Sequence, residues 1–178
     1  MSTRRDVLSD QWYTPPGILN DLARWAGEPL VDYCRPDEDI DARHMRPYRP
    51  GDTQFCNPPY SKEAGGAESF VEAMHAFHVH NFFLVNYGSW VARVAAKYGM
   101  AVGLLDRRVK FVPSRELREV LEARMRAAMH KKGYHHAQVA TAVWKDSPRY
   151  DNVFLYSGPN FSRLPSALGG YDITWRHP

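Results

Sequence analysis

The chain has 178 residues and a formal net charge of +3, with 44% hydrophobic and 24% charged residues. These values are typical of one globular domain and exclude collagen-like, coiled-coil and wholly disordered chains. The sequence contains no apolar run of the roughly 18 residues that a membrane-spanning helix needs, and no secretory signal. We therefore expect a cytoplasmic protein with a flexible segment at residues 1–9 and a single domain over residues 10–178. In that compartment Cys34 and Cys56 are expected to be free, buried thiols.

The first third of the chain predicts one helix and two short strands. Apolar residues at helical spacing indicate a helix over residues 17–26, with Thr14 as its capping residue. Residues 29–34 and 53–56 have the apolar character of short buried strands. The second strand ends at Asn57-Pro58-Pro59-Tyr60, because two successive prolines cannot continue a central strand. We call these four residues the NPPY segment.

The rest of the chain alternates between helical and strand-like patterns. Helices are expected over residues 67–77, 89–98 and 114–132, the last opened by Ser114; strands are expected over residues 81–85, 100–105, 139–144 and 153–156. Alternation of this kind favours an α/β architecture with a parallel or mixed sheet. In open α/β sheets ligands bind beyond the carboxyl ends of the strands. Asp32 and Asn57 both follow predicted strands and are therefore expected at one edge of the sheet.

The NPPY segment has a composition suited to activating an exocyclic amine. The amine of adenine or cytosine is a poor nucleophile, because its lone pair is delocalised into the ring. Two acceptors directed at its hydrogens, the Asn57 side-chain carbonyl and the Pro58 backbone carbonyl, would free that lone pair. The fixed φ of the prolines keeps the backbone rigid, and Tyr60 would stack on a flipped-out base.

The NPPY segment resembles the signature of amino-group DNA methyltransferases, Asn/Asp/Ser-Pro-Pro-Tyr/Phe/Trp, at all four positions. The order of further motifs resembles the small phage-type DNA N6-adenine methyltransferases, the Dam-like family. These motifs are Asp10-Gln11-Trp12-Tyr13-Thr14-Pro15, Val31-Asp32, Asp106-Arg107-Arg108-Val109-Lys110-Phe111 and the run from Ser147 to Phe154. Together they span roughly residues 10–157.

The resemblance implies a fold, a cofactor and a substrate. The fold would be α/β, a Rossmann-like class I methyltransferase sheet with helices on both faces. The enzyme would transfer a methyl group from S-adenosyl-L-methionine to N6 of adenine in double-stranded DNA after base flipping, as phage and restriction-modification enzymes do. Asn57, Pro58, Pro59 and Tyr60 would be the catalytic residues. The cofactor would be bound by Trp12, Thr14, Pro15, Asp32 and Tyr33.

Two other functions are compatible with the same residues. The NPPY segment would serve the N4 amine of cytosine as well as the N6 amine of adenine. The loop that follows Asp32 contains no glycine, although a glycine-rich loop is expected there in a methyltransferase. A catalytically silent DNA-binding protein that retains the base pocket is therefore the third interpretation.

Basic residues in the second half of the chain are the expected DNA contacts. Arg107, Arg108 and Lys110 follow a predicted strand at the same edge as Asn57 and would contact phosphates. Arg118 lies in the helical region at residues 114–136, which is either a DNA-contacting insertion or a solvated amphipathic helix. No metal is expected, because the histidines lack carboxylate or cysteine partners at ligand spacing.

Overall fold

The computed structural model describes residues 12–28, 30, 32–34, 43, 53–60, 65–130 and 151–177. Within these residues four α-helices and eight strands are defined. The helices are α1 (Pro16–Ala26), α2 (Gly66–Met74), α3 (Ser89–Tyr98) and α4 (Arg115–His130). The strands are β1 (Trp12–Tyr13), β2 (Thr53–Cys56), β3 (His80–Asn86), β4 (Ala101–Leu105), β5 (Val112–Pro113), β6 (Asn152–Ser157), β7 (Ala167–Leu168) and β8 (Tyr171–Arg176).

Six strands form a mixed sheet in the order β2-β3-β6-β4-β8-β7. Strands β2 and β3 are parallel, and the other four pairings, β3 with β6, β6 with β4, β4 with β8 and β8 with β7, are antiparallel. Because β3 and β4 are both antiparallel to β6, the carboxyl ends of β2, β3 and β4 lie at the same edge. An isolated parallel bridge from Asp32 to Phe55 places Asp32 beside β2 at that edge.

The expected fold class is wrong. The sequence predicted a Rossmann-like class I methyltransferase sheet with helices on both faces, whereas the sheet is mixed and four of its five strand pairings are antiparallel. A separate two-stranded antiparallel sheet joins β1 to β5. The error arises because alternating helical and strand-like patterns do not specify strand direction, and because β7 and β8 lie beyond the residues covered by the resemblance.

Alternate side chains of the sheet enter two buried clusters. Phe83 and Val85 of β3 pack with α2, α3 and Cys56 in one cluster. Phe82 and Leu84 pack in the other with α1 and with Leu117 at the start of α4. Burial on both sides explains why β3 has a continuous apolar sequence.

The remaining differences from the sequence prediction are local. Of the strand expected over residues 29–34, the described residues 30 and 32–34 show the isolated bridge at Asp32, and residues 29 and 31 lie outside the described part of the chain. Ser114 does cap α4, since its hydroxyl accepts a hydrogen bond from the backbone N–H of Leu117 at 3.1 Å. Thr14 does not cap α1, because its hydroxyl is directed to Asp32 instead. The strand expected over residues 139–144 lies outside the described residues.

Helix α1 is held against the turn between β7 and β8. Gly169 in that turn has a φ of 59°, which favours glycine, and a Cβ there would lie 2.7 Å from Cγ1 of Ile18. The backbone N–H of Gly169 donates to the Asp21 carboxylate at 2.6 Å. This contact fixes the position of α1, which forms one wall of the cavity described below.

Candidate functional site

A cavity of about 430 Å³ lies between the first turns of α1, the β1–β5 pair and Asp32. Its polar groups come from Thr14, Asn20 and Asp32, and Tyr13 supplies an aromatic ring. The full lining is Tyr13, Thr14, Pro16, Leu19, Asn20, Leu30, Asp32 and Val112. Apolar walls with a few convergent polar groups are typical of small-molecule and cofactor sites of this volume.

Asp32 connects the cavity to the NPPY segment. Its side chain is buried, and its Oδ2 accepts a hydrogen bond from the Thr14 hydroxyl at 3.2 Å. Its Oδ1 accepts from the backbone N–H of Cys34 at 3.0 Å and from the backbone N–H of Asn57 at 3.4 Å. One carboxylate therefore lines the cavity and positions the first residue of the NPPY segment.

The side chain of Asn57 is engaged by its neighbours. Its Nδ2 donates to the backbone carbonyl of Trp12 at 3.4 Å. The hydroxyl of Tyr60 lies 2.8 Å from Asn57 Oδ1 and 3.2 Å from the carbonyl oxygen of Leu84, within donating distance of both. Asn57 Oδ1 can accept one further hydrogen bond beside that of the Tyr60 hydroxyl.

A disulfide between Cys34 and Cys56 adjoins this network. The expectation of free thiols is wrong: the two sulfurs are bonded, and the Cα atoms are 5.2 Å apart. Cys34 follows Asp32 by two positions, and Cys56 immediately precedes Asn57. The bond therefore connects the Asp32 turn covalently to the end of β2.

Two of the five residues expected to bind a cofactor, Thr14 and Asp32, line the cavity. Trp12 is buried, and its backbone carbonyl accepts the hydrogen bond from Asn57. Pro15 is the N-cap of α1, where its carbonyl accepts from the N–H of Ile18. Tyr33 packs in the cluster with α2 and α3, and its hydroxyl lies 3.4 Å from Nε2 of His78.

Three of the four basic residues expected to contact DNA follow β4 and are exposed at the edge of the sheet that carries Asn57. Arg108 Nε lies 3.0 Å from Oδ1 of Asp151, and Arg107 contacts Asp106 and the carbonyl of Gly170. The Lys110 side chain is exposed, and its backbone N–H donates to the Tyr171 hydroxyl at 3.0 Å. Arg118 is an exposed residue of α4.

Several lining residues were not expected from the sequence. Leu19 and Asn20 lie one turn into α1, shortly after Thr14. That position in the sequence is the signal that would have indicated them. Leu30 and Val112 had no such signal. Val112 reaches the cavity only through the pairing of β5 with β1. Cavities assembled by pairing of distant segments are not visible in local sequence patterns.

Among the described residues, no group of three or more His, Cys, Asp or Glu side chains is placed to hold a metal ion. No helix in the described ranges is both long and apolar enough to span a bilayer. In comparisons with protein-family models, with curated proteins and with solved structures, no match to this chain was found.

Proposed function

We propose that this protein is an S-adenosylmethionine-dependent DNA methyltransferase that acts on the N6 amine of adenine. The observation that carries the proposal is the position of Asp32. Its carboxylate lines the cavity and accepts a hydrogen bond from the backbone of Asn57, so a cofactor in the cavity and an amine at Asn57 would be neighbours.

The residues of the cavity fit the proposed cofactor. Asp32 offers a carboxylate for an ammonium group, and the Thr14 hydroxyl and the Asn20 amide add polar contacts. Leu19, Leu30 and Val112 give the apolar surface that an adenine ring requires. Tyr13 provides an aromatic ring, which attracts cations.

A bound cofactor would supply a methyl group from a sulfonium: the S–CH3 bond would break as the N6–CH3 bond forms, leaving a neutral thioether, and one amine proton would pass to water. The chain supplies orientation of the amine. Asn57 Oδ1 and the carbonyl of Pro58 accept hydrogen bonds from the two amine hydrogens and stabilise the positive charge that develops on nitrogen. Tyr60 gives up its hydrogen bond to Asn57 and stacks on the base. No side chain of the NPPY segment needs to act as a nucleophile.

The exposed basic residues after β4 suit duplex DNA as the substrate. Arg107, Arg108 and Lys110 lie at the carboxyl ends of the strands, the edge at which Asn57 would receive a flipped base. Contacts from these side chains to phosphates would hold the duplex in register without reading its sequence.

The test is methyl transfer from labelled S-adenosylmethionine to double-stranded DNA, followed by nucleoside analysis. We expect N6-methyladenine from the wild-type protein and at least a hundredfold loss in Asn57→Ala, because one preorganised hydrogen-bonding group is worth about 10²–10³ in rate. N4-methylcytosine would favour the cytosine interpretation. DNA binding without binding of the cofactor in calorimetry would favour the silent protein.

The matched controls separate folding from chemistry. Asp172→Asn changes an exposed carboxylate on β8, and this variant should retain wild-type activity. Three strands lie between β8 and β2 in the sheet. Asp32→Asn should bind the cofactor more weakly than wild type. Wild-type activity in Asn57→Ala would contradict the proposal.

A further inference from the structure

Asn152 is a buried polar side chain at the start of β6. It is 4% exposed, and both Oδ1 and Nδ2 are without a partner among the described residues. Buried polar atoms are paired in the large majority of cases, so an orphaned amide in a native structure requires an explanation. Asn81, near the opposite end of the same strand pair, has a fully partnered amide, with bonds to His78 and Ser157.

Asn152 and Asn57 lie on the same face of the sheet and at the same edge. It is the first residue of β6 and pairs with Asn86, the last residue of β3. Phe154, two positions after Asn152, and Phe55, two positions before Asn57, enter the same buried cluster. Since side chains alternate along a strand, Asn152 and Asn57 share that face. Ordinary strand geometry separates their Cα atoms by about 12 Å.

The contacts proposed for the NPPY segment include no donor to the ring nitrogens of a purine. Asn57 and Pro58 offer acceptors to the amine, and Tyr60 offers a ring for stacking. The ring nitrogen N7 beside the amine is an acceptor and requires a donor. Nδ2 of Asn152 is such a donor.

We propose that Asn152 is the residue that recognises the target base, with its Nδ2 donating to N7 of a flipped adenine. This inference rests on the proposed function and deepens it. Cytosine has no nitrogen at the position equivalent to N7 and leaves the Asn152 donor without a partner. Asn152 therefore selects adenine over cytosine, a choice that the NPPY segment does not make.

Tyr60 lies at the same edge of the sheet, beside the carboxyl end of β3. Its hydroxyl lies 3.2 Å from the carbonyl of Leu84, two residues before Asn86, which is paired with Asn152. Release of this hydroxyl leaves Asn57 Oδ1 able to accept from the base amine. The exposed pair of Arg108 with Asp151 lies at the same edge of the sheet.

The experiment compares two DNA products of identical sequence, one synthesised with dATP and the other with 7-deaza-dATP, which lacks the N7 acceptor. Methyl incorporation is measured for the full chain and for Asn152→Leu. We expect wild type to methylate the 7-deaza product about 10- to 100-fold more slowly than the adenine product. Asn152→Leu should be slower by a similar factor on adenine DNA and should not distinguish the two products.

Thermal unfolding supplies the folding control. Asn152→Leu removes two orphaned atoms and should keep or raise the melting temperature, whereas Asn81→Leu removes three hydrogen bonds and should lower it. Equal discrimination by wild type and Asn152→Leu would overturn the inference while leaving the proposed function intact. A fall in melting temperature as large as that of Asn81→Leu would also overturn it. Absence of methyl transfer by wild type overturns both proposals.

Discussion

Cys34 and Cys56 are joined by a disulfide that encloses the chain between the Asp32 turn and the NPPY segment. The two cysteines are 22 positions apart, and closing a loop of this length stabilises a protein by about 3 kcal/mol in the chain-entropy treatment. We expect reduction to lower the free energy of unfolding by that amount. Urea unfolding with and without dithiothreitol measures the change.

The double variant Cys34→Ser, Cys56→Ser is the control for this prediction. It should unfold at the lower urea midpoint of the reduced protein, and dithiothreitol should not change that midpoint. A wild-type midpoint that does not change on reduction would show that the bond adds no stability.

Thr14 and Asp32 form the polar contact at the floor of the cavity, 3.2 Å from hydroxyl to carboxylate. Both side chains are buried, so Thr14→Val removes a hydrogen-bond donor from a buried carboxylate. We expect the free energy of unfolding to fall by about 1–3 kcal/mol. Thr14→Ser keeps the hydroxyl and should retain most of the stability. Equal unfolding midpoints for Val and Ser variants would refute this role of the hydroxyl.

The position of the NPPY segment was predictable from the sequence, whereas the hydrogen bonds around it were not. Two prolines after an apolar run end a strand, and Asn57 does follow β2. The bond from Thr14 to Asp32 spans 18 residues and depends on how α1 packs, which local patterns do not report. Likewise, nothing in the sequence around Asn152 indicates that its amide is buried without a partner.

The sequence of β8 has the alternating pattern of a strand, although no strand was predicted there. Tyr171 and Ile173 are buried while Asp172 and Thr174 are exposed, the alternation of a strand with one solvated face. Its pairing with β4 places an antiparallel strand within the sheet. The direction of β4, β6 and β8 depends on long-range pairing, which explains why the fold class was wrong although most individual elements were located.

Tyr60 has two separable groups, a hydroxyl that contacts Asn57 and an aromatic ring that we propose stacks on the base. Tyr60→Phe keeps the ring and releases Asn57 Oδ1, so we expect methylation close to that of wild type. Tyr60→Ala loses the stacking surface and should reduce methylation by about 10- to 100-fold, since stacking on an aromatic side chain is worth about 1–3 kcal/mol per base. Steady-state rates on one duplex measure both variants. A larger loss in Tyr60→Phe than in Tyr60→Ala would contradict this division.

Asp151 competes with DNA for Arg108 if Arg108 contacts a phosphate. The two side chains are 58% and 75% exposed, so their ion pair is weak and readily exchanged. We expect Asp151→Asn to raise the affinity for duplex DNA. Arg108→Ala should reduce the slope of log affinity against log salt by about 0.9 for each phosphate that the arginine neutralises in the wild-type complex.

Anisotropy titrations of a labelled duplex over a series of salt concentrations test the Arg108 prediction. Arg24→Ala is the matched control, because Arg24 is also an exposed arginine paired with a nearby aspartate, Asp21, but lies on α1. It should leave the slope unchanged. Equal slopes for Arg108→Ala and wild type would place the duplex on another surface.

His80 makes the stability of the fold sensitive to acid. Burial lowers the pKa of His80, an effect that the charge of Glu28 opposes. Its Nδ1 lies 2.8 Å from the Tyr156 hydroxyl, and burial raises the pKa of Tyr156, so that hydroxyl keeps its proton and can donate to neutral His80.

The sign of the effect follows from the lowered pKa. Below the pKa of about 6.5 that a histidine has in an unfolded chain, the unfolded state binds a proton that the folded state does not yet bind. Stability is therefore fully present above that value and falls as the pH decreases toward the folded pKa. We expect the urea midpoint of wild type to decrease from pH 7.5 to pH 5, by more than the midpoint of His80→Gln. Because the other histidines are unchanged in His80→Gln, the difference between the two proteins isolates His80, and identical pH profiles would show that its protonation is not coupled to folding.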